Sequence, residues 1–227
     1  TITVLKDAQA AVYGTVGANG VILVTTKTGK KNSPTKVSYN TFYGTQETSR
    51  KLNMLNATEY GLLLNESYAA GGQSLPFPDA SGLGVGTDWQ DEVFGTAPMS
   101  SHDITVSGGS DRTTYSISGS TLTQDGIIGG EKSNFQRNTA RLSLGVDLAE
   151  NLKLTTNVIF TNIDRDALAE NGLGAVLFNA LNAPPTLPLL DENGDFSLVP
   201  NTPGLGIEVI NPAAQIFNTF NDYDLNK

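Results

Sequence analysis

Residues 141–148 alternate without a break: Leu142, Leu144, Val146 and Leu148 stand against Arg141, Ser143, Gly145 and Asp147. Residues 152–161 continue the pattern, with Leu152, Leu154, Val158 and Phe160 opposed to Lys153, Thr155 and Asn157. Successive side chains of a strand leave on opposite faces, so a period of two specifies a sheet with one apolar and one polar face. Earlier segments repeat it more loosely. Residues 36–44 place Val37, Tyr39, Thr41 and Tyr43 on one face and Ser38 and Asn40 on the other. Residues 102–108 carry Ile104 and Val106, and 113–121 set Tyr115, Ile117 and Gly119 against Thr114, Ser116, Ser118 and Ser120. All come close to the roughly 9–11 residues that a tilted strand needs to cross a bilayer.

The connections discriminate further. GGSD at 108–111 and AEN at 149–151 read as tight turns, whereas 45–101, 124–137 and everything after Asp164 read as long loops. Strict alternation of short and long connections is the asymmetry of an outer-membrane barrel. A soluble sandwich shares the strand pattern but not that asymmetry. No apolar run reaches the roughly 18–20 residues of a membrane helix, which says nothing about a barrel.

The first residues have another texture. Residues 1–5 read as a strand, Asp7 as the cap of a short helix through Tyr13, and Gly14 as its C-terminal stop. Gly17, Asn19 and Gly20 supply a turn into Val21, Ile22, Leu23 and Val24, expected as a strand buried on both faces. The glycine spacing fits neither the P-loop nor the dinucleotide fingerprint. A chain opening at Thr1 inside a strand-like run is expected to be internal to a longer polypeptide. Within the long loops, 57–70 has helical spacing with Tyr60, Leu63, Leu64 and Ser67 on one face. Residues 88–94 form a helical turn or two, and 174–181 a short apolar helix ending before Pro184 and Pro185.

Chemistry is sparse. The formal charge of −9 and pI near 4.5 argue against nucleic-acid binding. The one basic cluster, Lys27, Lys30, Lys31 and Lys36, reads as a solvated linker. Cysteine is absent, which removes thiolate metal sites and a cysteine nucleophile. His102 beside Asp103 lacks a nucleophile and a third partner, so the pair is not read as catalytic. Asp191, Asn193 and Asp195 resemble the start of a calcium loop, but Phe196 and Thr202 stand where Gly and Glu are needed. Asn193-Gly194 therefore reads as a hairpin turn. Trp89 is a packing anchor in preference to a sugar platform, and Tyr43, Tyr115 and Phe160 are candidates for aromatic girdles.

The run ITVLKDAQAAVYGTVGANGVILVTTK is similar to the end of the plug domain of TonB-dependent receptors. Ala18-Asn19-Gly20 with VILVTTK, then TDWQDEVFGTAP, DITVSGGSDRTTYSISGS with QDGII downstream, and APPTLPLLDENGDF resemble the SusC/RagA branch. The resemblance covers essentially the whole chain, in order. It implies a mainly β fold, a transmembrane antiparallel barrel of roughly 22 strands filled by a plug. About five of those strands are expected in this chain. Residues 1–33 would be the C-terminal part of the plug domain, and 34–227 the N-terminal strands and extracellular loops of the barrel.

The same resemblance implies a TonB-dependent importer in the cell outer membrane, with no enzymatic activity and no cofactor. Glycans, peptides or similar ligands would be its cargo. Its partners would be a SusD-like surface lipoprotein, TonB, outer-membrane lipid and the remainder of the same barrel. Two alternatives stand beside it: a structural SusC-like scaffold, and a soluble β-sandwich glycan-binding module. The sequence assigns no catalytic, metal or substrate-binding residue. So few strands cannot close a barrel, so 36–44 and 152–162 are expected as open edges and the chain is not expected to insert alone.

Overall fold

The computed structural model describes residues 1–25, 28–169, 171–199, 209–219 and 222–226. Strands β1 (Ile2–Leu5) and β2 (Val21–Val24) form their own two-stranded antiparallel sheet, with Ile2 opposite Val24 and Leu5 opposite Val21. The second sheet has six strands in chain order. They are β3 (Ser33–Gln46), β4 (Ala97–Gly109), β5 (Thr113–Gly126), β6 (Gly130–Ala149), β7 (Leu152–Asp166) and β8 (Asp222–Asn226). The order is linear, so β3 and β8 are its edges among the described residues.

Two expectations about this sheet need correction. The sheet has six strands where about five were expected: β8 pairs antiparallel with the end of β7, from Asn162 opposite Asn226 to Asp166 opposite Asp222. A five-residue strand is too short to show a period. The supposed loop 124–137 is instead a long hairpin, since β5 runs on to Gly126 and β6 starts at Gly130. Its apolar residues, Ile127, Ile128 and Phe135, do not alternate with polar ones at a period of two, so the pattern carries no strand signal there and the ladder alone defines the strands. Short and long connections consequently do not alternate strictly.

The tight turns follow their chemistry. At β4–β5 the Ser110 N–H donates to Thr113 O at 2.8 Å, and the Ser110 hydroxyl accepts from the Arg112 and Thr113 N–H groups. Helix α1 (Ala57–Ala70) opens with a reciprocal cap. Asn56 Oδ1 accepts from the Glu59 N–H at 2.9 Å, and a Glu59 carboxylate oxygen accepts from the Asn56 N–H at 3.0 Å. The inward stripe of α1 is Ala57, Tyr60, Gly61 and Leu64, whereas Leu63 and Ser67, expected with it, are exposed. Leu83, Ala80 and Phe77 approach the helix closely at Gly61, and that contact decides the buried face.

The first segment departs from expectation in two ways. Residues Asp7–Gly17 form a 3-10 helix interrupted at Gly14 (φ 67°). Lys6 takes the N-cap position without a side-chain bond, and Asp7 sits at φ 52°, so Asp7 caps nothing. Strand β2 is not buried: Ile22, Leu23 and Val24 are exposed. A two-stranded ribbon covers neither of its own faces, so burial must come from elements other than β1.

The chain divides into two compact units, and β3 to β7 each contribute to both. The first holds residues 1–40, 103–120 and 139–160; the second holds 41–102, 121–138 and 161–227.

Candidate functional site

In the first unit the apolar face of the sheet is the open one. Leu148, Leu152, Leu154 and Val158 are exposed, with Leu152 at 57 %, as are Val37, Ile104, Ile117 and Leu142. Leu144 and Val146 are half-buried. The buried positions lie on the other face: Ser143 at 4 %, Ser116 at 7 %, and Gly145. Small residues keep that face low, and a Cβ on Gly145 would meet Thr114 Oγ1 at 2.7 Å. Among the described residues no second sheet lies over these leucines, as one would in a sandwich. Tyr115 hydrogen-bonds through its hydroxyl to Thr35, while Tyr43 and Phe160 are exposed, as girdle residues would be.

The second unit has an ordinary core. Helix α2 (Trp89–Val93) contributes Trp89 and Val93, and α3 (Val176–Asn182) contributes Val176 and Ala180. Leu168 and Ala183 complete the buried cluster, against which Phe94, Ile128 and Ile216 pack. Trp89 is 3 % exposed, and its indole N–H donates to Pro184 O at 3.0 Å, so it anchors the loops. The two long loops are stitched together beside it: the Thr87 N–H donates to Pro185 O at 2.9 Å, and the Thr87 hydroxyl to Leu187 O at 2.7 Å. Gly86 allows this approach, because at φ +73° its missing Cβ would lie 2.1 Å from Pro185 O. The β5–β6 hairpin tip joins through the Phe94–Ile128 bridge and a 2.8 Å bond from Gly95 N–H to Ile127 O.

Carboxamides hold the loops in shape, and the sequence reading missed them. Gln90 donates to Leu52 O at 2.8 Å and accepts from the Leu52 N–H at 2.9 Å. Asn65 clasps Phe77 in the same two-way fashion. Asn179 is fully buried; it donates to Gln215 Oε1 at 2.7 Å and accepts from the Ile210 N–H. Asn211 caps α4 (Pro212–Asn218) with its oxygen and donates its amide to Leu189 O and Ser197 O. One amide group offers both a donor and an acceptor, so it can finish an irregular backbone edge as a strand neighbour would. The Asn-Pro signal at 211–212 was legible as a helix start; the others have no local signature.

The remaining sequence candidates fall in separate places. His102 lies on β4 with Nδ1 3.1 Å from Thr41 Oγ1. Asp191 heads a hairpin closed by the Leu190–Phe196 bridge, and its carboxylate accepts from the Asn193 and Asp195 N–H groups at 2.8 and 3.0 Å. Those bonds, Asp195 first, hold its carboxyl below the usual range. The carboxylate is thus occupied by its own turn, and no cluster of three metal-ligating side chains occurs among the described residues. A cavity of about 480 Å³ lies beside this hairpin, lined by Leu187, Pro188, Leu190, Glu192 and Leu198 among others. Of the basic cluster, Lys31 pairs with Asp147, and Lys27 lies outside the described residues.

No family model matches the chain. Curated relatives do. TonB-dependent receptor P3 of Formosa agariphila is 34% identical over 224 residues, 94% of this chain and 20% of its own. TonB-dependent receptor SusC of Bacteroides thetaiotaomicron is 36% identical over 199 residues, 86% of this chain and 19% of its own. The chain therefore spans about a fifth of the length of the curated relatives it matches. Among solved structures, the RagAB peptide importer in its closed-closed state superposes with TM-score 0.72 at 27% identity, covering 94% of this chain and 27% of that one. A second RagAB peptide transporter structure gives 0.73 at 26% identity. These relatives are receptors and transporters.

Proposed function

We propose that this chain, which is SusC/RagA-like and matches the TonB-dependent receptors, is part of an outer-membrane importer. Residues 1–33 act as the C-terminal end of its plug, and 34–227 as the first strands and extracellular loops of its barrel. The observation that carries this is the inverted burial in the first unit: leucines face outward while Ser116, Ser143 and Gly145 face a closed side. In water such an apolar belt would be anomalous; against hydrocarbon it is the stable arrangement. Open edges at β3 and β8 would leave backbone groups unpaired in lipid, at several kcal/mol each, so further strands of the same barrel are required beside them.

The loop unit supports a covered extracellular face. Leu62, Leu63, Leu198 and Phe217 are exposed in this unit, the kind of apolar surface on which a SusD-like lipoprotein would seat. Glycans or peptides are the cargo, and TonB displaces the plug. Spin labels test the wall: in the full-length receptor in a bilayer, a label at Leu154→Cys should meet lipid-soluble oxygen and one at Ser143→Cys should not. The opposite accessibility would sink the barrel reading. Deleting the gene in its host and growing the strain on panels of peptides and oligosaccharides separates importer from scaffold. A defect confined to one class supports import, whereas unchanged growth with altered outer-membrane assembly supports the scaffold.

A further inference from the structure

We propose that residues 29–32 are a fixed anchor, clamped to the β4–β5 turn and to β6, at which displacement of the upstream β1–β2 segment stops. The inference rests on the plug reading above, because only a displaceable upstream segment needs such a stop.

Three independent contacts hold this short stretch. Gly29 lies so close to the β4–β5 pair that a Cβ there would sit 2.3 Å from Tyr115 O and 2.4 Å from Gly108 O. Both obstacles are backbone carbonyls of a paired sheet, which cannot swing aside as a side chain can. Gly109 answers it from the other direction: a Cβ on Gly109 would meet Lys30 O at 2.5 Å. The Asn32 N–H donates to Ser110 O at 3.0 Å, tying the backbone into the turn. Lys31 then reaches past β4 and β5 and pairs with Asp147 near the end of β6. Steric fit, a backbone hydrogen bond and an ion pair thus fall on four consecutive residues and reach β4, β5, the turn between them and β6.

Upstream the situation is the reverse. Among the described residues strands β1 and β2 make their ladder only with each other, and Ile2, Val4, Ile22 and Val24 are exposed within this chain. Force applied from the N-terminal side would load the two-stranded ribbon first. The clamp at 29–32 lies before Ser33, where β3 begins, so β3 keeps its pairing while the upstream segment moves. A plug anchored there can leave the lumen without unzipping the wall.

Hydrogen exchange on the purified full-length receptor in detergent tests this. Amides of β1 and β2 should open as one unit at low cost, and the amide of Asn32 should belong to a separate, better protected unit with β4 and β5. Gly29→Ala should raise exchange across 29–34 at least about tenfold, since the backbone must shift to admit the methyl group. Gly82→Ala, at a position with open space around it, should not. Lys31→Glu should raise exchange there about two- to fivefold, and the swap Lys31→Asp with Asp147→Lys should restore most of the protection. If Asn32 opens together with β1 and β2, or neither Gly29→Ala nor Lys31→Glu alters 29–34, the anchor is overturned. The plug reading fails on a different signal: full exposure of β1 and β2 in the intact receptor, whatever happens at Asn32.

Discussion

In the first compact unit Leu152 is 57 % exposed and Ser143 is 4 % exposed; in the second Trp89 is 3 % exposed. The same sheet strands feed both units, yet the rule for burial reverses between them. Charge separates them as well. The first unit carries eight Lys and Arg against five Asp and Glu, and the second six against eighteen. Exposed leucines over hidden hydroxyls and glycines are the arrangement that suits hydrocarbon, while a hidden tryptophan with charge outside is the one that suits water. The difference shows that a single exposure rule cannot be applied along the whole of this chain.

The comparison can be broken most forcefully at Trp89. Trp89→Ala should destabilise the loop core by about 3–5 kcal/mol and leave the strands intact. Exchange at α2 and α3 should rise steeply while the β6–β7 amides hold. Loss of both together would show one cooperative body.

Next comes Leu144→Arg, expected to cost about 2–4 kcal/mol if the position lies near the bilayer midplane. Folding of the full receptor into vesicles, followed by denaturant titration, measures it. A neutral result would mean that this face meets water. The buried amide Asn179 gives a smaller effect: Asn179→Ala strands the Ile210 N–H and Gln215 Oε1, at about 1–3 kcal/mol. Thermal unfolding of the loop unit, followed by Trp89 fluorescence, reads it, and Asn179→Leu should not rescue.

The smallest effect is titration of the Asp191 hairpin. Its carboxyl is depressed in the folded state, so the stability it lends is fully present above the ordinary carboxylate range and disappears only as pH falls through the lowered value. The Asn193 and Asp195 amide resonances should therefore stay constant down to pH about 4 and move only below it. Movement around neutrality would show that another group controls the turn.

How much of this was legible depended on the unit. The strands at 141–148 and 152–161 were readable because a two-residue period meets one apolar environment over their whole length, and physical law leaves that pattern a single register. Helix α1 was readable from its helical spacing, and the Asn56–Glu59 cap sets its first turn locally. Its buried face was not, because the contact with Leu83 and Phe77 beside Gly61 selects it and those residues lie far along the chain. The hairpin at 124–137 was missed because its apolar residues cluster at the tip, where Ile128 packs on the loop core, and write no two-residue period into the sequence.

What the sequence by itself determined is therefore the regularly alternating strands, their apolar side, the tight turns and the span of α1, all of which depend on neighbours within a few residues. What only the tertiary structure decided is the rest: the clasps of Gln90, Asn65 and Asn179, the seat of Trp89 on Pro184, and the clamp of Gly29 and Lys31 on the β4–β5 turn and β6. Each of these joins groups separated by twelve residues or more. A side-chain amide or a glycine has no preference of its own for such a partner, and only the folded chain brings the two within hydrogen-bonding or van der Waals range.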